Sequence, residues 1–397
     1  MGKTRKARPR KQVPDDYFAA GPIEIARFGK NVIARSRATA EQFAAIQAGL
    51  AARHPKVVEE IDALVARVAE RVARLPGDEL LKRAWWDFAI AMTVASEKVD
   101  ETEQAQARRM IDYVQSVIAS VPPSPIVEEE ISEEEWAGLR SDVAKLFKQL
   151  THEYQISRAA HRRAADAAVD IELEEFQFRA EVLWMNVRGQ RYHAHERQAL
   201  LDVLAPHSDV LVRLFGVDAQ TIVGELDKIL MKLTRGLADA VEEFDRFRED
   251  TLAAMGALAK EAESASIDEL RDKVFEDEAR AARGRQVMGE LFGMDMFDVE
   301  HVTDLPKSLV DELTWSPGED TDFFAEGPYR GWPLRAWPIF KRPFIRLNGR
   351  TYCFDISGLF DNIYEFFSGL YLSLLLTIRK GGTSGRKPFP SNCRLST

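Results

Sequence analysis

The sequence predicts a mainly α fold: a multi-helix bundle with long helices, plus a small C-terminal β-hairpin segment. Three observations carry this. Apolar residues recur at spacings of three and four through most of the chain, which is the period of an amphipathic helix. Three capping boxes, Thr39-Ala40-Glu41-Gln42, Ser132 with Glu135 and Ser266 with Glu269, mark helix starts where side chain and backbone satisfy each other's free groups. One Asn348-Gly349 pair lies between two β-prone runs, the strongest short hairpin signal because a type I′ turn needs positive φ at both central positions.

The chain has 397 residues, 45% of them apolar, enough to bury cores in two or three domains. Charged residues make up 30% and the formal net charge is −10, which opposes non-specific nucleic-acid binding by the body of the protein. Cys353 and Cys393 form neither a disulfide framework nor a CxxC zinc pair, so the expected setting is a reducing cytoplasm. The first eleven residues carry Lys3, Arg5, Lys6, Arg8, Arg10 and Lys11 with no acid and no apolar stretch after them, so they are not a secretory signal. This arm, residues 1–14, reads as disordered. Any nucleic-acid contact it makes would be weak and sequence-blind, because no aromatic is interleaved to stack on bases.

Residues 15–126 read as an N-terminal helical bundle. The Thr39 box opens a helix to about Arg53, and Pro55 opens the next, striped by Val58, Ile61, Val65, Val68, Val72 and Leu75. Pro76-Gly77 ends it, and Asp78 is the N-cap of a helix carrying Leu80, Leu81, Trp85, Phe88 and Met92. A further helix with Met110, Tyr113, Val114 and Val117 stops at Pro122-Pro123. Residues 127–283 form a long-helix bundle or helical hairpin. Its acidic run, Glu128 to Glu135, is helix-start chemistry at the Ser132 box, and the helix continues to about Ala164. Another spans Ile171 to Arg188 and ends at Gly189. From Ile222 to Leu258 eleven apolar residues cover 36 positions in ten steps, a mean of 3.6, which is the straight-helix period. The Ser266 box restarts a helix to about Arg283. Residues 284–364 are a Trp/Pro-rich segment ending in the hairpin, which needs a larger sheet or a groove in the bundle to cover it.

No constellation predicts catalysis or a cofactor. His193, His195 and His207 lie near Glu196 and Asp202, but residues two apart on a helix point about 200° apart, so metal binding by His193 and His195 is only an alternative reading. Gly381-Gly382-Thr383-Ser384-Gly385-Arg386-Lys387 lacks the Gly-Lys-Ser/Thr ending of a phosphate loop. Glu225-Leu226-Asp227-Lys228 lies in a helix, where a nuclease-type carboxylate/lysine pair would want a strand. Trp85-Trp86 reads as core. Phe366 to Ile378 is thirteen residues without a charge, too short to span a bilayer, so no membrane role is expected.

Several stretches resemble a family of large bacterial cytoplasmic proteins. They are Ile25-Ala26-Arg27-Phe28-Gly29, Leu80-Leu81-Lys82-Arg83-Ala84-Trp85-Trp86 and Arg109-Met110-Ile111-Asp112-Tyr113-Val114-Gln115-Ser116. Trp184-Met185-Asn186-Val187-Arg188-Gly189-Gln190-Arg191-Tyr192 and Tyr352-Cys353-Phe354-Asp355 with Leu359-Phe360-Asp361-Asn362 belong with them. The resemblance implies a helical N-terminal region followed by a nuclease-like domain with a strand-borne Glu-x-Lys, and in some members a Cys/His motif that attracts preprotein-translocase-like labels. It spans about Asp15 to Tyr364. The matching motifs are structural, and neither the Glu-x-Lys strand nor the Cys/His motif is present, so no activity passes to any residue here.

Beyond Tyr364 the pattern breaks. Codons read one register over from Tyr364 can spell Arg-Val-Leu-Gln-Arg, which resembles the family's continuation. A frameshift near Tyr364 is therefore expected, with residues 365–397 an out-of-frame tail that packs poorly. The expected function is a non-catalytic helical module of a longer nuclease-like protein, binding an unknown protein partner or positioning the missing C-terminal domain. The alternative is a stand-alone coiled-coil interaction or scaffold protein.

Overall fold

The computed structural model describes residues 16–20, 23–28, 31–36, 40–93, 101–128, 130–164, 193–261, 266–356 and 358–379. It divides into two units, Met1–Ile61 with Lys148–Ile171, and Asp62–Phe147 with Glu172–Thr397. Helix dominates the described residues, and the fold class is mainly α.

The first unit begins with an antiparallel meander of β1 (Asp16–Ala20), β2 (Ile23–Phe28) and β3 (Asn31–Ser36), in which Phe18 pairs with Ile25 and Ile25 with Ala34. This corrects the expectation that strand is confined mainly to the hairpin. The signal was present: Gly21-Pro22 and Gly29-Lys30 punctuate three short β-prone runs, and short runs of period 2 are easily lost beside long helical stripes. Helix α1 (Ala40–Arg74) is continuous through Pro55, where two helices were expected. An internal proline costs about 3 kcal/mol, but His54, Val57 and Ile61 on either side of it are all engaged in packing. In this unit α1 meets the second half of α4 (Glu133–Ala164) through His54 Nε2 and Glu153 Oε1 at 2.7 Å, and Gln149 Nε2 donates to Glu60 Oε2 at 3.1 Å. Thr39 lies outside the described residues.

The second unit contains the rest of α1 and α4 with α2 (Gly77–Thr93) and α3 (Glu101–Ser120). Val65, Val68, Val72, Leu81, Trp85, Tyr113, Val117, Leu139 and Leu146 fill its core. Trp85 is core as expected, and Trp86 is half-buried. Two cap readings change. Helix α2 begins at Gly77, so Asp78 sits in its first turn and its Oδ2 accepts from Asn348 Nδ2 at 2.8 Å, from the hairpin turn. At Ser132 only half the box forms: Ser132 Oγ accepts from the Glu135 N–H at 3.1 Å, while the Glu135 carboxylate reaches Arg71 at 2.7 Å and Arg74 at 3.2 Å. Two guanidiniums offer that carboxylate more than one backbone N–H does.

The expected helix from Ile171 to Gly189 lies outside the described residues. Helices α5 (His193–Leu204) and α6 (Ser208–Phe215) lead to α7 (Ala219–Glu261), whose 43 residues span roughly 65 Å at 1.5 Å per residue. Asp218 Oδ1 accepts from the Thr221 N–H at its start. Ile222, Leu226, Ile229 and Leu233 are buried, but Val241 and Leu252 on the same stripe are 44% and 59% exposed, so only the first half of α7 is fully covered. The Ser266 box is complete and opens α8 (Ile267–Phe275). That helix does not run on to Arg283. Asp277 caps a separate α9 (Glu278–Phe292), and Gly284, read as a boundary, lies inside α9, where a Cβ would come 2.9 Å from Phe247. It is a close-packing glycine.

The Trp/Pro segment ends in β4 (Thr314–Trp315), β5 (Phe344–Leu347) and β6 (Arg350–Cys353). The hairpin turn has Asn348 at φ 51° and Gly349 at φ 80°, the type I′ signature. Strand β4 pairs in parallel with β5, and a groove of the bundle covers the hairpin, burying Phe344, Ile345, Tyr352 and Phe354. Helix α10 (Leu359–Arg379) then runs through Tyr364 without a break. Phe367 is fully buried beside Phe215 and Tyr371, and Leu370 is half-buried. The expectation of poor packing after Tyr364 is corrected for these positions; residues 380–397 and the side chains from Leu372 lie outside the described residues. Phe367→Ala is expected to cost about 3–5 kcal/mol in a denaturant titration. An unchanged midpoint would show that α10 contributes no packing beyond Tyr364.

Candidate functional site

The structure separates the residues that the sequence singled out. The basic arm, Lys3, Arg5, Lys6, Arg8, Arg10 and Lys11, lies outside the described residues. His193 opens α5 and its Nε2 lies 2.7 Å from Asp227 Oδ1 of α7, with Arg197 Nη1 3.6 Å from the other oxygen. Its ring packs at 5.3 Å from Phe360. His195 is exposed on α5, and the His207 ring, in the turn after it, lies tilted against Tyr371 at 4.5 Å. Each histidine thus has its own surroundings: His193 at Asp227 and Phe360, His195 on an exposed position, His207 at Tyr371. Among the described residues no group of three His, Cys, Asp or Glu side chains is arranged to hold a metal ion. No helix among them is long and apolar enough to cross a membrane.

The other candidates are absorbed into packing. Glu225 Oε1 takes Lys228 at 2.8 Å and its Oε2 accepts the Asp304 N–H at 2.9 Å, which tethers α7 to the loop before the short helix Lys307–Glu312. A cleft of about 260 Å³ between α7 and α9 is lined by Ala240, Glu243, Arg283, Gln286, Val287 and Glu290. Its charges are already matched: Arg283 reaches Glu243 at 2.7 Å and Asp250 at 2.9 Å, and Lys232 reaches Glu290 at 2.8 Å. The Arg283 hydrogen bond holds the Glu243 carboxyl below its ordinary range.

What the structure does assemble is a preformed loop from Asp322 to Arg335, locked onto the helical frame. Sequence reasoning marked this stretch only as Trp/Pro-rich. Arg335 organises it: its guanidinium donates to the carbonyls of Asp322 at 2.9 Å, Phe323 at 3.2 Å, Ala325 at 2.7 Å and Pro328 at 2.9 Å. Tyr113 of α3 donates its hydroxyl to the Gly331 carbonyl at 2.8 Å, and the Trp332 indole donates to Asp62 of α1 at 2.7 Å. Gly331, at φ 67°, has room for no side chain, since a Cβ would meet Phe324 at 2.6 Å and Val65 at 2.8 Å. Below the loop, buried Asp320 accepts from Ser120 Oγ at 3.1 Å and the Phe323 N–H at 2.8 Å, and Lys341 lies at 3.3 Å. These anchors bury Phe323 and Trp332. They leave Pro328, Tyr329, Arg330 and Leu334 exposed at the tip.

Two buried groups carry a pH signature. Burial alone pushes the Tyr113 phenol up, and burial with Asp355 nearby pushes the Cys353 thiol up. Both are neutral when protonated, so the folded state binds protons that the unfolded state releases above a thiol pKa of about 8.5. Their contribution to stability is fully present below that pH and is lost as pH rises. Denaturation midpoints are therefore expected to fall above about pH 8.5, by up to roughly 1.4 kcal/mol per pH unit per group. Cys353→Ala should delay the onset toward the tyrosine range. An onset unchanged in that variant would show that Cys353 is not its source.

No family model matches the chain, and comparison with curated proteins and with solved structures returns no similar protein.

Proposed function

We propose that this chain is a non-catalytic helical module that binds a partner or positions a nuclease-like domain. The observation that supports this best is the locked loop. Buried Tyr113 and Ser120, half-buried Arg335 and exposed Asp62 commit polar groups to holding the loop in one shape, and preorganisation of that kind serves recognition. The resemblance supplies the nuclease-like context, and the cysteine usage supports a cytoplasmic setting. The basic arm would add weak, sequence-blind phosphate contacts.

The test uses the whole chain and a variant with Lys3, Arg5, Lys6, Arg8, Arg10 and Lys11 changed to Gln. Anisotropy titrations with labelled duplex DNA should show binding whose logarithm falls with log salt by about 0.9 for each phosphate contacted, and the variant should lose it. Supercoiled plasmid incubated with Mg²⁺ or Mn²⁺ should stay intact. Cleavage by the chain alone, abolished by a point substitution within it, would overturn the reading.

One observation favours the scaffold alternative. The second half of α7 leaves Leu252 at 59% exposure and the start of α8 leaves Ile267 at 76%. Sedimentation over a concentration series, with Leu252→Glu and Ile267→Glu as variants, decides it. Self-association through α7 and α8 that these variants abolish would favour a coiled-coil scaffold.

A further inference from the structure

The loop tip is built for contact in a way that its own packing does not require. Tyr329 is 47% exposed and sits at φ 61°, a left-handed backbone that strains a bulky side chain. Such strain persists only where the surroundings over-determine the backbone. Here Arg335 fixes the carbonyls of Ala325 and Pro328, and Tyr113 fixes that of Gly331, so the tip is gripped on both sides. Glycine would take this φ without strain, as Gly331 does two residues on. The Tyr329 ring leans on Trp332 at 5.1 Å and is held outward.

Charge distinguishes the tip from the residues around it between Trp315 and Cys353. Arg342 pairs with Glu319, Arg346 with Asp311, Arg350 with Asp295, and Lys341 with Asp320 and Asp322. Arg335 is spent on carbonyls. Arg330 differs: its Nε donates to the Phe324 carbonyl at 3.0 Å, and no carboxylate among the described residues pairs with it. One outward guanidinium thus stands among exposed Pro328, Tyr329 and Leu334. Tyrosine and arginine around an apolar contact is the composition of binding hot spots. The exposed Pro328, Tyr329 and Leu334 around Arg330 suit an occupant that brings apolar side chains beside its charge, as a peptide does and a phosphate backbone does not.

We propose that the 324–335 tip is a docking knob for an acidic peptide segment of a partner protein, with Arg330 taking a carboxylate and Tyr329 and Leu334 taking the flanking apolar side chains. The proposal names the partner chemistry of the binding reading above and rests on it. A rigid loop suits this because little conformational entropy remains to be lost on binding.

The experiment pans a phage-displayed library of random peptides against the full chain. An enriched peptide is then synthesised and titrated against the chain, Tyr329→Gly and Arg330→Glu. Enriched peptides should carry a carboxylate beside apolar residues and bind each variant about tenfold or more weakly. Tyr329→Gly should keep or raise the melting temperature, because the strain is relieved, so its lost binding would not be a folding defect. Peptides that bind the variants as tightly as the parent chain would overturn the proposal. So would self-association that Tyr329→Gly abolishes, which would assign the tip to a second copy of the chain. A labelled single-stranded oligonucleotide whose binding needs Tyr329 would assign it to nucleic acid instead. None of these failures touches DNA binding by the basic arm or the absence of plasmid cleavage, so the broader reading stands or falls separately.

Discussion

The Trp/Pro segment has almost no ladder of its own, and that constraint organises the second unit. Between Trp315 and Phe344 no strand satisfies the backbone, yet Phe323, Trp332 and Trp337 are buried there. A buried carbonyl or N–H without a partner costs about 1–3 kcal/mol, so each must be met by a turn, by a side chain or by the main chain of a neighbouring helix. Helix α3 supplies much of this. Tyr113 meets Gly331, Gln115 meets Pro343 at 2.8 Å, and Ser120 meets Asp320, which in turn caps Phe323. The main chain of α3 helps too, with Ile118 and Ala119 carbonyls accepting from Gly318 and Asp320. The three indoles of the segment spend their N–H groups in the same way, on Pro338, Asp62 and Pro333.

A buried helix with a polar stripe is therefore the template on which an irregular segment acquires one shape. Asp112, Gln115, Ser116 and Ser120 are all buried on α3, a polar content that would be costly in an ordinary bundle helix. It is tolerated because the segment needs partners at those heights. The dependence runs both ways: without the segment, the Tyr113 hydroxyl and the Gln115 amide of α3 would lose their partners, while Ser116 and Ser120 would keep theirs on α3 carbonyls. The two parts should therefore unfold together rather than in sequence.

Much of the helical frame was legible because its signals are local and repeated. Long stripes, the Ser266 box and the Asn-Gly turn each specify their element within a few residues. The misses share a different cause, in that a distant partner reassigns a local signal. Glu135 looked like the second half of a capping box until Arg71 and Arg74 claimed it. Asp78 looked like a cap until the hairpin turn reached it. Gly284 looked like a boundary because nothing local says that Phe247 lies against it. Continuity through Pro55 depends on packing on both sides, and the N-terminal meander was outvoted by longer signals. The loop was the least legible part, since Arg335 finds four carbonyls through a path of turns and positive-φ residues that no spacing rule encodes.

The charges follow the same division between frame and tip. On the frame, cations are closed by acids from neighbouring helices: Arg71 and Arg74 on α1 with Glu135 on α4, Arg83 on α2 with Glu133, Arg283 on α9 with Glu243 and Asp250 on α7. Half-exposed pairs of this kind contribute little stability each, about 0–1 kcal/mol, but they fix how helices are set against one another by penalising a slipped register. At the tip the logic inverts, because Arg330 is exposed, its Nε donates to a carbonyl and no carboxylate among the described residues pairs with it. Among the described residues, the proposed contact chemistry thus falls where an exposed guanidinium adjoins a strained, half-exposed tyrosine and the loop backbone is held by side chains of the frame.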